Sequence, residues 1–147
     1  MVRAACHCGA VRITLEPAPA WVLDCNCSIC RRYGVLWAYA SDVIAKQELK
    51  VQLLQGDDAL EAYIWGNRWI GFWRCKGCGC VTHHTALDQP STIRGVNARM
   101  FVNFDPASVT IHRSDNAHTG AFWTRPDAPI RKGGQPPMEP PGPDDWR

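Results

Sequence analysis

The chain has no long apolar run and no strong excess of charge of either sign. No segment approaches the roughly 20 consecutive apolar residues that a membrane helix needs, and residues 1–5 lead into Cys6 without the apolar core of a signal peptide. The formal net charge is +2, and the arginines are scattered without forming a basic stripe. We therefore expect a soluble cytoplasmic protein that binds neither membranes nor nucleic acids.

Extremes of composition are also absent, which excludes a disordered or fibrous body. With 147 residues, 46% of them hydrophobic and 20% charged, the chain is close to the globular average and long enough for one domain with one core. Its eight cysteines are the exception. In a secreted chain they would indicate disulfides, whereas in a reducing compartment they favour thiolate ligation of metal ions.

Short runs of β-branched and aromatic residues, separated by Gly, Asp and Asn, fill the sequence from about residue 11 to about residue 114. Residues 11–16 alternate between apolar and polar side chains, which predicts a strand with one buried face that stops at Pro17. The pattern predicts a mainly β protein. Further strands are predicted over residues 21–24, 35–40, 60–65, 69–74, 81–86, 93–102 and 108–113, with a hairpin turn at Gly66 and Asn67.

The composition changes near the C-terminus. Seven of the eleven prolines lie between Pro126 and Pro143, in a stretch without hydrophobic periodicity. Such a segment cannot bury a core of its own. We therefore predict a β domain over residues 1–123 and an extended or disordered Pro/Gly-rich arm over residues 124–147.

The spacing of Cys75 and Cys78 is typical of a metal-binding knuckle. Gly77 and Gly79 lie within and beside the pair, where they allow the positive φ that folds the backbone around an ion. Tetrahedral zinc needs four ligands, and two tight turns with two thiolates each supply them. The pair therefore needs a second cysteine pair as its partner.

Cys6 and Cys8 are the expected partners, because Cys-x-Cys at the foot of a strand can direct both side chains at one centre if the backbone bends at Gly9. The alternative for these four cysteines is a redox dithiol or a disulfide. A closed site of four thiolates would contribute directly to the free energy of folding. Cys80 is left out of the ligand set, since a lone cysteine is more often a small buried apolar residue.

A further group holds Cys25, Cys27 and Cys30, and overlaps the one predicted helix, residues 28–33. Ser28 could cap this helix and Gly34 could end it in the left-handed conformation. Three thiolates leave the fourth zinc position to water or substrate, which is typical of catalytic zinc. The alternative is a second structural site completed by Cys80 or a histidine.

The three groups together resemble the glutathione-dependent formaldehyde-activating enzyme family. The resemblance rests on Cys-x-Cys-Gly-Ala-Val-Arg at residues 6–12, Cys-x-Cys-Ser-x-Cys-Arg-Arg at residues 25–32 and Cys-x-x-Cys-Gly at residues 75–79. It implies a β-tent-type fold of antiparallel sheets around zinc-binding cysteine knuckles. It also implies two zinc ions, a structural one on Cys6, Cys8, Cys75 and Cys78 and a second one on Cys25, Cys27 and Cys30.

The resemblance implies a zinc-dependent carbon-sulfur lyase that acts on adducts of glutathione, or a similar thiol, with formaldehyde or a related aldehyde. The cysteine triplet would then be catalytic. Arg31, Arg32 and Arg99 are candidates to pair with the carboxylates of glutathione. Two alternatives stay open: a non-enzymatic zinc module that binds a protein partner, and a redox-active Cys27 that forms a mixed disulfide with glutathione.

Overall fold

A computed structural model describes residues 1–40, 47–64, 68–117 and 121–122, and about half of these residues lie in two β-sheets. The mainly β fold with antiparallel sheets is confirmed. The smaller sheet has the strand order β1-β2-β5, and every pair in it is antiparallel. Its strands are β1 (Val2–Ala5), β2 (Arg12–Glu16) and β5 (Lys50–Gln55).

The larger sheet has eight strands in the order β11-β10-β3-β4-β9-β8-β7-β6. Its pairs are antiparallel except for β3 and β10, which run parallel, so that Cys25, the last residue of β3, is the partner of Ser114. The strands are β3 (Trp21–Cys25), β4 (Trp37–Tyr39), β6 (Leu60–Ile64), β7 (Ile70–Cys75), β8 (Val81–Ala86), β9 (Gln89–Asn97), β10 (Thr110–Asp115) and β11 (Ala121–Phe122).

The described residues include one α-helix, α1 (Ser28–Tyr33), which follows β3 and has the predicted bounds. Gly34 ends it with a left-handed φ of 61°, as predicted. The prediction that Ser28 caps the helix is wrong, because Cys27 occupies the N-cap position and Ser28 is the first helical residue. The helix therefore starts directly at a cysteine of the predicted second metal site.

Other departures from the prediction lie at strand ends. The strand predicted over residues 93–102 ends at Asn97, whose side-chain oxygen accepts the N–H of Arg99 and begins a 3₁₀ turn over Ala98–Met100. A second 3₁₀ turn covers Pro106–Ser108. Strands β1, β5 and β11 were not predicted. The predicted turn at Gly66 and Asn67 and the arm over residues 124–147 lie outside the described residues.

Two groups of buried side chains form the core. The first lies between the sheets and includes Val11, Ile13, Leu15 and Val96, all 0–1% exposed. The second packs α1 against the larger sheet. Its buried members are Trp21, Leu23, Cys25, Ile29, Cys30, Val35, Trp37, Tyr39 and Phe72.

Adjacent histidines on β8 point to opposite faces of the larger sheet. His84 lies on the side of the second core, where its ring contacts Trp37 at 4.7 Å and Phe72 at 6.0 Å between ring centroids. His83 stacks on Trp73 at 5.9 Å and shares a hydrogen bond of 2.9 Å with the hydroxyl of Thr82. The imidazole of His84 thus packs against the side chains of the second core, which also contact α1.

Gly95 pairs with His84 across β8 and β9, and a Cβ at Gly95 would collide with the imidazole. We predict that Gly95→Ala lowers the free energy of unfolding by about 1–3 kcal/mol in denaturant titrations, because the aromatic neighbours hold the ring in place. Gly71→Ala on β7 is the control, since its nearest neighbour is the movable end of Leu87 at 3.3 Å. Equal stability of both variants would contradict this packing.

Burial lowers the pKa of His83 to about 4 from 6.5. Between these values the unfolded chain binds a proton that the folded chain excludes, so the free energy of unfolding rises with pH through this range. The contribution of neutral His83 to the free energy of unfolding is fully present above about pH 6.5, and about 3 kcal/mol of it is lost as the pH falls to about 4. Urea titrations across this range should show a flatter pH dependence for His83→Gln. Identical slopes for both proteins would refute the assignment.

Candidate metal centres

The structure brings Cys6, Cys8, Cys75 and Cys78 together, and we call them the four-cysteine cluster. Their sulfur atoms all lie within 4.8 Å of one another. The sulfur of Cys8 lies 3.6 Å from that of Cys6 and 3.7 Å from that of Cys75. A disulfide needs about 2.05 Å, whereas thiolates around tetrahedral zinc lie about 3.8 Å apart. The cluster therefore fits a metal ion and not a disulfide, and all eight cysteines are free thiols.

Two tight turns direct these sulfurs at one point. In the turn between β1 and β2, the N–H of Cys6 bonds to the carbonyl of Val11, and the N–H of Val11 donates to the sulfur of Cys6 at 3.2 Å. Gly9 and Gly79 have φ values of 76° and 74°, which a residue with a Cβ rarely adopts. The two turns therefore have the knuckle form that the spacing predicted.

Gly77 differs from the prediction, because it does not have a positive φ. A Cβ there would lie 3.7 Å from the sulfur of Cys8 and 3.8 Å from that of Cys75. These are ordinary van der Waals contacts. The positive φ of Gly79 therefore shapes the turn between β7 and β8, and a Cβ at Gly77 would fit beside the sulfurs.

The four-cysteine cluster joins the two sheets. One turn belongs to β1 and β2 of the smaller sheet and the other to β7 and β8 of the larger sheet, and Cys8 and Cys75 are 67 positions apart. The backbone N–H groups of Cys8 and Cys80 lower the pKa of Cys78 to about 5. Two opposite effects act on the pKa of Cys8. The N–H of Ala10 lowers it, but contacts with neighbouring thiols raise it to about 11. A bound cation would favour the thiolate form of all four.

Cys25, Cys27 and Cys30 form the three-cysteine cluster, with sulfurs also within 4.8 Å of one another. Cys25 ends β3, Cys27 caps α1 and Cys30 lies in its first turn. Cys25 and Cys30 are buried, while Cys27 is partly exposed. Within the described part of the chain, no fourth Cys, His, Asp or Glu joins them. This arrangement fits a metal ion with one position left for an outside ligand.

The three thiols share their protons unequally. Hydrogen bonds from Cys25 and Cys30 lower the pKa of Cys27 to about 3, and the N–H groups of Cys30 and Ile29 act in the same direction against burial. The pKa of Cys25 rises to about 11, mainly through its contact with Cys27. That of Cys30 rises well above its ordinary value through Cys25 and Cys27. The thiolate form is therefore favoured at Cys27, the partly exposed member of the cluster.

Two side chains outside the cysteine motifs donate to this cluster. The indole N–H of Trp37 lies 3.2 Å from the sulfur of Cys30, and the side-chain amide of Asn116 lies 3.2 Å from that of Cys25. Sequence reasoning missed both. Trp37 also lies in the second core, and Asn116 is 91 positions from its partner, so only the three-dimensional pairing of β3 with β10 reveals it.

Comparison with known proteins identifies the family. The family model for the glutathione-dependent formaldehyde-activating enzyme matches residues 1–114. The chain belongs to this family. A crystal structure of a Rhodobacter sphaeroides protein, solved as a structural genomics target, is 32% identical over 74% of this chain and 98% of that one, with a TM-score of 0.57. The recognition made from the cysteine motifs is therefore confirmed.

For this member of the formaldehyde-activating family, the arginines named from the sequence lie on the surface. Arg31 and Arg32 are in the last turn of α1, and the guanidinium of Arg32 donates to the carbonyl of Ser28 at 2.8 Å. Arg99 is exposed on the 3₁₀ turn after β9. Their contacts with glutathione stay predictions. Among the described residues, no helix is long and apolar enough to cross a membrane.

The eighth cysteine provides a matched control for the four-cysteine cluster. Cys80 is partly buried beside the cluster but does not belong to either group. We predict that Cys75→Ser loses one metal ion per chain and unfolds, because a structural metal site supplies about 10 kcal/mol, comparable with the whole stability of a domain. Cys80→Ser should keep its metal and its fold. Circular dichroism and metal analysis would decide, and a folded Cys75→Ser chain without metal would contradict a structural role.

Proposed function

We propose that the chain is a zinc-dependent carbon-sulfur lyase that joins glutathione, or a similar thiol, to formaldehyde or a related aldehyde and cleaves the adduct. The observation that carries this proposal is a group of three cysteines with no fourth protein ligand among the described residues. Family membership supports it, since the family is named for glutathione-dependent activation of formaldehyde. Zinc is the metal we propose for both clusters, because it favours thiolate ligands.

The proposed reaction forms one carbon-sulfur bond. The thiol sulfur attacks the carbonyl carbon, the carbonyl π electrons move to oxygen, and the proton of the thiol ends on that oxygen to give a hydroxymethyl thioether. Zinc, when bound, supplies a Lewis acid that stabilises a thiolate or polarises a carbonyl oxygen. The reverse reaction returns the same atoms to thiol and aldehyde. No oxidant or reductant is needed.

The chain's own residues would hold and orient the reactants. Cys25, Cys27 and Cys30 hold the ion, and the partly exposed Cys27 marks the side from which a thiol reaches it. Phe72 and Trp37, 7% and 1% exposed, exclude water from the opposite side. Arg31 and Arg32, on the helix that carries Cys30, are placed to pair with carboxylates of glutathione, and Arg99 is a further candidate.

The pKa of Tyr33 is raised, mainly by burial, although the positive charge of Arg74 lowers it. Its hydroxyl therefore keeps its proton at neutral pH. Tyr33 packs against the second core with its ring 6.1 Å from that of Phe72. Tyr33 therefore belongs to the packing around α1.

The competing function, a non-enzymatic zinc module, predicts a closed second site. The three-cysteine cluster and its partly exposed sulfur favour the enzyme.

Cytoplasmic location stays a prediction. A redox-active Cys27 also stays a prediction, which thiol labelling with and without chelator would test.

We predict that the wild type binds two zinc ions and that Cys27→Ser binds one, stays folded and no longer accelerates adduct formation. Cys27 is at the partly exposed side of the cluster, so its loss should remove the second ion without disturbing the core. Metal analysis gives the zinc content, and exchange spectroscopy by NMR measures interconversion of glutathione and its formaldehyde adduct above the spontaneous rate.

Cys80→Ser is the control, because it removes one thiol outside both clusters. It should keep both ions and the full rate. A Cys27→Ser chain with wild-type acceleration, or a two-zinc wild type that accelerates neither formaldehyde nor a larger aldehyde, would refute the proposed enzyme. An unfolded Cys27→Ser chain would make the triplet structural.

A further inference from the structure

Two sulfurs of the three-cysteine cluster accept hydrogen bonds from side chains that belong to other parts of the fold. Trp37 is only 1% exposed, and its indole N–H lies 3.2 Å from the sulfur of Cys30, which is 6% exposed. Asn116 donates to Cys25 over the same distance. Both sulfurs are buried, so an N–H donor there replaces hydration that the thiolates cannot obtain from water.

The position of Asn116 is itself fixed. Asn26, between two cysteines of the cluster, donates its side-chain amide to the carboxylate of Asp115 at 2.6 Å and accepts the N–H of Ala117 at 3.0 Å. Its backbone N–H donates to the carbonyl of Ser114 at 3.2 Å. These three bonds hold the segment on both sides of Asn116 against the cysteine loop. The donor is therefore built into the fold and not a chance contact of a surface side chain.

The indole of Trp37 is held equally firmly. Trp37 pairs with Asn97 and Leu23 in the larger sheet, and its ring packs against His84 and Phe72. The ring cannot turn away from Cys30 without disturbing the second core. Both donors thus reach the cluster from rigid elements, which is how groups around a metal site orient its ligands.

These bonds change the charge of the site. Three thiolates around a divalent ion carry a net charge of −1 in a largely buried place, and N–H groups that donate to thiolates offset part of it. They also fix the directions of the sulfur lone pairs. A loss of either donor would leave a buried thiolate without its partner, which weakens ion binding and makes that sulfur easier to oxidise.

We propose that Trp37 and Asn116 are positioning residues of the second metal site, which hold the sulfurs of Cys30 and Cys25 and withdraw negative charge from them. This inference rests on the proposed function only in taking the three-cysteine cluster to bind a metal ion. Asn116 lies two residues beyond the family match, which ends at residue 114.

The test uses Co²⁺ as the probe, because thiolate-bound Co²⁺ absorbs in the near ultraviolet. Trp37→Phe removes the indole N–H but keeps an aromatic ring, and Asn116→Leu removes the amide at nearly constant size. The second-site spectrum is the difference between each protein and the same protein with Cys27→Ser. We expect each variant to bind Co²⁺ at this site about 10-fold more weakly in chelator competition. The charge-transfer band should also move to lower energy, since an unassisted thiolate gives up its electron more readily.

Trp73→Phe is the matched control, because the indole N–H of Trp73 donates to the hydroxyl of Thr85 at 3.0 Å and not to a sulfur. It should change neither the affinity nor the band. Stoichiometric Co²⁺ at the four-cysteine cluster reports that each variant is folded, and Asn116→Leu carries the test if Trp37→Phe fails to fold.

Unchanged affinity and an unchanged band in Asn116→Leu would overturn the inference, as would a wild type that binds no second ion. The adduct assay separates this outcome from the proposed function. Altered Co²⁺ binding without any catalysis in the wild type would refute the enzyme and keep the positioning role. Catalysis with unaltered Co²⁺ spectra in the variants would do the reverse.

Discussion

The close approach of four thiols from two sheets is the constraint on which the rest of the structure depends. Without a cation, sulfurs 3.6–3.7 Å apart are held by weak contacts, and their thiolates would repel one another. With a cation, the same geometry links the smaller sheet to the larger one across 67 positions of the chain. The first core lies between these sheets, so its burial and a metal ion bound at the cluster would stabilise each other.

The second cluster depends on a different feature, the parallel pairing of β3 with β10. This pairing brings Ser114 beside Cys25 and lets the following residues reach the cysteine loop. The short helix α1 then brings Cys30 close to Cys25 and Cys27, where it packs with Trp37 and Phe72. One cluster thus lies between the two sheets, and the other lies where α1 follows the end of β3, partly exposed at Cys27.

Much of this arrangement could be predicted because cysteine chemistry is local. Turns that carry two cysteines and a glycine such as Gly79 have few conformations, so spacing alone indicated the knuckles. The strand β5 was missed because its exposure pattern is mixed and its place is set by pairing with β2. Asn116 carries no local signal, since its contact with Cys25 depends on strands paired across 91 positions. The sequence pattern could not predict contacts that depend on the pairing of strands far apart in the sequence.

We propose that one chain holds two metal ions in different ways, closed at one cluster and open at the other. Anomalous diffraction at the zinc edge, from crystals of the zinc-loaded chain, tests it most directly. The account predicts two peaks, one with four cysteine sulfurs and one with Cys25, Cys27, Cys30 and a ligand that is not a protein side chain. A single peak, or a second ion with a fourth protein ligand, would contradict it.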